Sequence, residues 1–239
     1  MQTANVVEFE VPFQRALLHG NRWQAQSSVN TAVLLHGGGT SAADGFQELR
    51  TFLCARNIST VAFDFVGHGR TGGSQLGTTL DERVRQVVSV VASLRLEPTT
   101  TTLIGFSMGA YVAAKVALEI AVPRLCLAIP AAYAAQAYTA PFGPQFTQVL
   151  RTHRSWEQSD AFDLIRRYVG HLLVVSAEED RAVPAEIPKM YFAGGIKCAS
   201  TRHHVVRRSG HNLSEHYERE PQAREAAYAE IASLCRRNA

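Results

Sequence analysis

The sequence has few cysteines, no apolar run long enough to span a bilayer and little net charge, and each scarcity excludes a class of protein. Its cysteines show neither a CxxC pair nor cysteine–histidine ligand spacing, so the sequence predicts no metal site. They are Cys54, Cys126, Cys198 and Cys235. The most apolar tract, residues 103–133, contains Lys115, Glu119 and Arg124. Because these charges would interrupt a helix that spans a bilayer, stable membrane insertion is not expected.

Charge of one sign is also scarce. The chain has 24 Lys and Arg residues against 21 Asp and Glu residues, a formal net charge of +3. Basic pairs such as Arg166-Arg167 are isolated, as on solvated surfaces, and no nucleic-acid partner is expected. Three of the four cysteines lie among apolar neighbours, as reduced buried thiols do. Since residues 1–13 show no leader pattern, we expect a cytoplasmic protein.

Short β-branched runs alternate along the chain with longer segments of helical period. This alternation is typical of an α/β fold, a mainly parallel sheet with helices on both faces. The length suits a single domain, residues 1–239. The predicted strands are an edge hairpin (VVEFEV and RALLHG) and residues 31–35, 60–65, 102–106, 125–129, 172–176 and 204–206. The predicted helices are residues 46–56, 80–96, 108–120, 184–192 and 219–235.

Residues 133–168 break the alternation with Pro141, Gly143 and Pro144 and with many aromatic residues. We interpret this segment as a small helical lid inserted in the domain. Its aromatic side chains are predicted to line an apolar acyl or aryl pocket, or else to pack the lid onto the body of the domain. The residues concerned are Tyr133, Tyr138, Phe142, Phe146 and Trp156.

Gly105-Phe106-Ser107-Met108-Gly109 fits the G-x-S-x-G pattern, between the apolar run TTTLI and the helix-forming run AYVAAKVALEI. This context predicts the strand, sharp turn and helix of a nucleophile elbow. A serine in such a turn is strained at positive φ, and the residues two before and two after it must be small. The N–H groups at the start of the helix favour negative charge nearby. Ser107 is therefore the predicted nucleophile.

The sequence resembles the α/β-hydrolase fold enzymes of the lid-bearing esterase, thioesterase and acylglycerol-lipase sort, across essentially the whole chain. His36-Gly37-Gly38-Gly39 follows the strand TAVLL, where this family carries the loop that completes its oxyanion hole. The resemblance implies that the backbone N–H groups of Gly38 and Met108 form that hole. Gly39 is the alternative first donor. His36 is expected to orient the loop rather than to transfer protons.

The segment from Asp64 to Thr71 resembles the D-x-x-G-x-G-x-S stretch of the same family, with Thr71 in place of the usual serine. Its glycines also match G-x-G-x-x-G. In a dinucleotide site those glycines open a helix, and an acid follows about twenty residues later. Here the helical pattern starts only near Leu80, and residues 87–92 contain no acid. We therefore reject a nucleotide site and expect neither an organic nor a metal cofactor.

The resemblance also implies an acid and a base after Ser107, in the order Ser, Asp, His of this fold. Asp180 follows the strand LLVVSA and precedes Val183-Pro184, as the acid of the family does. His211, in the run SGHNL, matches the family's base near the end of the chain. The rival residues are Glu178 and Glu179 for the acid, and His203, His204 and His216 for the base.

These residues predict acyl transfer to water through an acyl-enzyme, because a serine is in the elbow. The first expectation is a carboxylic-ester hydrolase acting on a small-molecule acyl ester. The alternatives are a thioesterase acting on acyl-CoA or carrier-bound acyl chains, and a non-catalytic binding protein with the same fold. The sequence leaves the acyl length and homo-oligomerisation open.

Overall fold

In a computed structural model, which describes residues 5–237, eight strands form one sheet. The strands are β1 (Asn5–Phe13), β2 (Ala16–Gln24), β3 (Asn30–Leu35), β4 (Ile58–Phe63), β5 (Thr101–Phe106), β6 (Arg124–Ala128), β7 (His171–Ala177) and β8 (Ser200–Val206). Their order in the sheet is β1-β2-β4-β3-β5-β6-β7-β8. The hairpin of β1 and β2 pairs antiparallel to β4, and the other six strands are mutually parallel.

Within residues 5–237 there are eight α-helices, and the sheet is covered on both faces. They are α1 (Gln47–Cys54), α2 (Leu80–Ser93), α3 (Met108–Glu119), α4 (Pro144–Arg151), α5 (Ala161–Arg167), α6 (Glu186–Gly194), α7 (Leu213–Arg219) and α8 (Pro221–Cys235). α2, α3, α5 and α6 bury their apolar side chains in one core on the first face. α1, α7 and α8 pack in a second core on the other face. This layering confirms the predicted α/β fold.

The central strands are buried because helices cover both faces of the sheet. The side chains of β4 and β6 are buried along the whole strand, without the alternation of a half-exposed sheet. Thr79 caps the start of α2: its side chain accepts the N–H of Glu82 while the Glu82 carboxylate accepts the N–H of Thr79. α2 thus begins at Leu80, well after the glycines of G-x-G-x-x-G, so these glycines open no helix.

Residues 133–168 lie between β6 and β7 and contain α4, α5 and two short 3₁₀ turns. Asp160, which precedes α5, binds Lys115 and accepts a hydrogen bond from the Tyr111 hydroxyl, both on α3. These contacts hold the segment against the helix that follows Ser107. Whether the segment acts as a lid stays a prediction.

The helix expected over 219–235 is α8, which begins two residues later, at Pro221. A short helix that was not predicted, α7, precedes it, and the two meet at Glu220 and Pro221. Proline cannot continue a helix because it lacks an N–H and clashes with the preceding turn, but it is accommodated at the first helical position. Within residues 5–237, no helix combines the length and the apolar composition needed to cross a membrane.

Candidate active site

Ser107 occupies a strained turn between β5 and α3, with φ +53° and ψ −115°. Its N–H donates to the Ala128 carbonyl at 2.9 Å, and its carbonyl accepts the N–H of Ala131 at 3.2 Å. A positive φ is unfavourable for a residue with a side chain, and surrounding contacts must hold it. Here the end of β6 holds the turn that Ser107 requires.

The glycines on both sides of Ser107 are required by close backbone contacts. A Cβ atom on Gly105 would overlap the carbonyl oxygen of Gly109. A Cβ atom on Gly109 would overlap the carbonyl oxygen of Leu35, at the end of β3. The two glycines therefore allow α3 to begin directly beside β5 and β3. This packing is the physical reason for small residues at both positions of the G-x-S-x-G pattern.

Ser107, His211 and Asp180 form a continuous chain of hydrogen bonds. The Nε2 atom of His211 lies 3.0 Å from Ser107 Oγ, and its Nδ1 atom lies 2.7 Å from Asp180 Oδ2. The three residues follow β5, β8 and β7, whose carboxyl ends meet at one edge of the sheet. The structure thus brings together the three side chains predicted as nucleophile, base and acid.

The Asp180 carboxylate is fixed by its own loop. Its Oδ1 atom accepts the N–H groups of Ala182 and Val183, each at 2.9 Å. Burial alone would raise the pKa of Asp180, but the hydrogen bonds from His211 and these two N–H groups outweigh it and lower that pKa. The carboxylate is therefore ionised at neutral pH and orients the His211 ring.

The rival acids and bases have other positions. Glu178 accepts hydrogen bonds from the Arg207 guanidinium and the Arg208 N–H, and Glu179 is exposed. His203 and His204 lie within β8, where His203 Nε2 is 2.7 Å from Ser176 Oγ. His216 is buried in α7.

The glycine loop after β3 lies against the start of α3. A Cβ atom on Gly37 would be 3.4 Å from Ser107 Cβ, and one on Gly38 would be 3.1 Å from Met108 Cε. Gly39 has φ +66°, a left-handed conformation that favours glycine. Met108 is the first residue of α3, where the helix leaves its N–H groups free of helical partners. The loop and α3 thus meet beside Ser107.

His36 anchors this loop. Its Nδ1 atom is 2.9 Å from the Gly37 carbonyl oxygen, and its Nε2 atom accepts the Phe65 N–H at 3.1 Å. Burial, reinforced by the nearby Arg83 charge, lowers the pKa of His36 to about 3. The ring is therefore neutral, with Nδ1 as its donor, and both of its nitrogens are occupied.

A cavity of about 700 Å³ opens beside Ser107. Its apolar wall comes mainly from the second core rather than from residues 133–168. The side chains of that wall are Phe46, Leu49, Phe106, Leu213, Tyr217 and Tyr228. Tyr133 also lines it, whereas the other four predicted pocket residues do not: Tyr138, Phe142, Phe146 and Trp156.

The remaining aromatic residues of 133–168 pack mainly against one another and the first core. Phe142 meets Phe146 edge-on at 4.7 Å, and Phe146 lies 5.6 Å from Tyr133. Tyr138 packs on Tyr111 and Lys115 of α3. Trp156 lines a separate surface cleft. Their part in substrate binding stays a prediction, and the geometry corresponds to the alternative in which they hold the segment onto the body of the domain.

The family model of the alpha/beta hydrolase family matches residues 32–159, more than half of the chain. The chain belongs to the alpha/beta hydrolase family. This finding confirms the resemblance carried by the elbow and the glycine loop. No curated protein sequence matches the chain.

Solved structures of low sequence identity share the fold of this alpha/beta hydrolase. The Pyrococcus furiosus esterase Pf2001 is 20% identical with a TM-score of 0.74, over 98% of this chain and 93% of its own. A monoacylglycerol lipase from Paleococcus ferrophilus is 17% identical with a TM-score of 0.72, over 91% and 98%. A thioesterase domain from the curacin biosynthetic pathway is 18% identical with a TM-score of 0.67, over 97% and 99%.

Two features of this alpha/beta hydrolase were missed from sequence. No sequence motif marks the cavity wall formed by α1, α7 and α8. Arg83, next to the glycine loop, could have been recognised from its position in the sequence. It occupies a core position of α2 with Leu80, Val84 and Val87, where an ionisable side chain is unusual.

Proposed function

We propose that the chain is a serine hydrolase that cleaves carboxylic esters through an acyl-enzyme, with Ser107, His211 and Asp180 as catalytic triad. The observation that carries this proposal is the continuous hydrogen-bond chain from Asp180 through His211 to Ser107. A serine hydroxyl is scarcely ionised at neutral pH, so it needs a base within hydrogen-bond distance. Asp180 holds the tautomer in which His211 Nε2 accepts the hydroxyl proton.

In the first half-reaction Ser107 Oγ attacks the ester carbonyl carbon while its proton passes to His211 Nε2. The carbonyl oxygen becomes negative and is stabilised by the Gly38 and Met108 N–H groups and by the amino-terminal end of α3. His211 then returns the proton to the leaving alkoxide oxygen as the carbon–oxygen bond breaks. The alcohol departs and leaves Ser107 acylated.

In the second half-reaction water replaces the alcohol. His211 takes a proton from the water as its oxygen attacks the acyl carbon, and gives it back to Ser107 Oγ as the acid leaves. The apolar wall of the cavity suits an acyl or aryl group of the ester. The four free cysteines fit a cytoplasmic setting for this reaction.

The test is labelling with a fluorophosphonate, followed by hydrolysis of p-nitrophenyl esters and acyl-CoAs. Ser107→Ala should abolish labelling and lower kcat on the order of a thousandfold or more. The matched control is Ser214→Ala, because Ser214 lines the same cavity and should be dispensable. Near wild-type turnover by Ser107→Ala would contradict the proposal.

The same assays separate the alternatives. Faster turnover of acyl-CoAs than of matched oxygen esters would assign a thioesterase. A chain that takes no label and hydrolyses neither substrate would be a binding protein with this fold.

A further inference from the structure

Arg83 is a buried cation whose hydrogen-bond partners in residues 5–237 include no carboxylate. It lies on the core face of α2 with 1% of its surface exposed. In the described part of the chain, none of the charges that act on it is a carboxylate. Burial lowers the pKa of Arg83 to about 10, so the guanidinium remains charged at neutral pH. An uncompensated charge in a protein interior is energetically costly, so the groups that the Arg83 guanidinium contacts are of interest.

The guanidinium is held by two hydrogen bonds and two aromatic rings. Its Nη1 atom donates to the Gly37 carbonyl oxygen at 3.2 Å, and its Nη2 atom lies 2.6 Å from His68 Nε2. The rings of Phe65 and Phe142 lie 4.9 and 5.1 Å from its central carbon. Its Nε atom has no hydrogen-bond partner in residues 5–237. The group is therefore fixed in place but not neutralised.

The donor and the acceptor can be assigned in each hydrogen bond around Arg83. His68 accepts from Arg83 at Nε2, so its Nδ1 atom donates to the Ser41 carbonyl at 2.9 Å. His36 accepts from the Phe65 N–H and donates from Nδ1 to the Gly37 carbonyl. Burial first and the Arg83 charge second lower the pKa of both histidines, which keeps them neutral. The Gly37 carbonyl thus accepts one hydrogen bond from a cation and one from a neutral ring.

The Gly37 carbonyl and the Gly38 N–H are the two ends of one peptide group. Because the peptide bond is delocalised, hydrogen bonds to the oxygen withdraw electron density from the nitrogen and strengthen the N–H as a donor. The Gly38 N–H is the proposed first donor of the oxyanion hole. We infer that Arg83 is a positioning residue that polarises the Gly37–Gly38 peptide and thereby stabilises the oxyanion of the tetrahedral intermediate. This inference rests on the proposed function.

The distance is short enough for the effect to be measurable. From the 3.2 Å contact, one peptide group and one further hydrogen bond, the guanidinium lies roughly 8 Å from the oxyanion. A direct oxyanion-hole donor contributes about a hundredfold to a thousandfold to kcat. Because Arg83 acts through such a donor, we expect a smaller effect, about tenfold.

The experiment uses a trifluoromethyl ketone, which adds to the serine and forms a hemiketal whose oxygen occupies the oxyanion position. The pKa of that hemiketal is followed by ¹⁹F NMR across pH in wild type, Arg83→Met and Arg83→Lys. Arg83→Met should raise the hemiketal pKa by about one unit, since a tenfold loss of oxyanion stabilisation equals one unit. It should lower kcat about tenfold with little change in KM. Arg83→Lys, which keeps the charge, should recover part of both losses.

The matched control is Arg50→Met. Arg50 is also a buried arginine on a helix, packed on the Trp23 ring at 4.4 Å and bonded to Thr60 and Asn21. Its loss should reduce stability and leave the hemiketal pKa unchanged. If Arg83→Met does not fold, Arg83→Gln replaces it, because glutamine keeps a donor but not the charge, and the comparison with Arg83→Lys decides.

The outcomes separate the two proposals. If the wild-type protein forms no hemiketal, the proposed function is wrong and Ser107 is not a nucleophile. If the wild type forms one and its pKa is the same in Arg83→Met or Arg83→Gln, the role of Arg83 is wrong and the triad assignment stands. An equal shift in Arg50→Met would also overturn it, because the effect would then be general.

Discussion

Phe46 and Phe146 form a matched pair that tests which wall of the site meets the acyl chain. Both are phenylalanines, exposed by only 8% and 7%, and both pack against another ring. Phe46 lies 5.1 Å from Phe106 and lines the cavity beside Ser107. Phe146 lies 4.7 Å from Phe142, within the aromatic cluster of residues 133–168, and does not line that cavity. We therefore expect Phe46→Ala, and not Phe146→Ala, to change substrate preference.

The magnitudes follow from what each ring contacts. Removing a buried phenylalanine side chain costs about 3–5 kcal/mol, and for a chain of this size each kcal/mol lowers Tm by about 2–4 °C. Phe146→Ala should therefore lower Tm by roughly 6–20 °C. Phe46→Ala should lower it less, because one side of that ring already faces the cavity. In Phe46→Ala the enlarged cavity should favour longer acyl chains, by up to about fourfold per carbon, since each buried methylene contributes about 0.8 kcal/mol.

The assay is kcat/KM against a series of p-nitrophenyl esters of increasing acyl length, with a thermal melt of each variant. Reactivity with a small fluorophosphonate serves as the control, because both variants should keep an intact Ser107. A shifted length profile in Phe146→Ala together with an unchanged one in Phe46→Ala would refute the reasoning. It would then place the acyl chain under residues 133–168.

Two further predictions concern the acid and the glycine loop. Asp180→Asn should lower kcat on the order of a thousandfold to ten-thousandfold, because the amide favours the wrong tautomer of the histidine; Glu178→Gln and Glu179→Gln should have small effects, and steady-state kinetics showing the reverse order would assign the acid differently. For His36, the folded pKa of about 3 lies below the unfolded value near 6.5, so only the unfolded chain binds the proton between these values. Stability should be complete above about pH 6.5 and fall by up to about 1.4 kcal/mol per pH unit below it. Melts of wild type and His36→Gln from pH 4 to 8 should differ in slope, and identical slopes would contradict a buried neutral His36.

The central strands and most of the helices were predictable because the spacing of apolar residues along each element depends on which of its faces are buried. β4 and β6 are buried along their whole length and contain short apolar runs, Val61–Phe63 and Leu125–Ala128. β8 was predicted too short, at 204–206, because it is the edge strand. Its residues from Ser200 to Val205 are polar or partly exposed, so they lack the pattern of a buried strand.

The candidate triad was predictable for a different reason. Its residues lie at the carboxyl ends of β5, β7 and β8, which meet at one edge of the sheet whatever the side chains of the helices are. The elbow adds a local constraint, since Gly105 and Gly109 can carry no Cβ atom. Such backbone requirements produce short sequence patterns, such as G-x-S-x-G, that can be recognised in a single sequence.

The cavity wall has no such pattern, because it depends on which side chains of distant segments meet. Phe46 comes from the turn before α1, Tyr217 from α7 and Tyr228 from α8, and no sequence motif surrounds any of the three. The aromatics of residues 133–168 were conspicuous by their number, but number does not specify whether a ring faces a cavity or a core.

The role of Arg83 also depends on contacts between distant segments, but its position in the sequence is recognisable. The apolar face of α2 requires a hydrophobic side chain between Leu80 and Val84, and an arginine there costs desolvation. A helix that met only apolar neighbours would lose stability by that choice. The desolvation cost is offset where the buried guanidinium donates a hydrogen bond that an apolar side chain could not. Here the acceptor of that bond is the Gly37 carbonyl beside Ser107. A lone charge at a core position of a helix is therefore a sequence signal of a buried polar partner, and the Gly37–Gly38 peptide is the partner that we propose for Arg83.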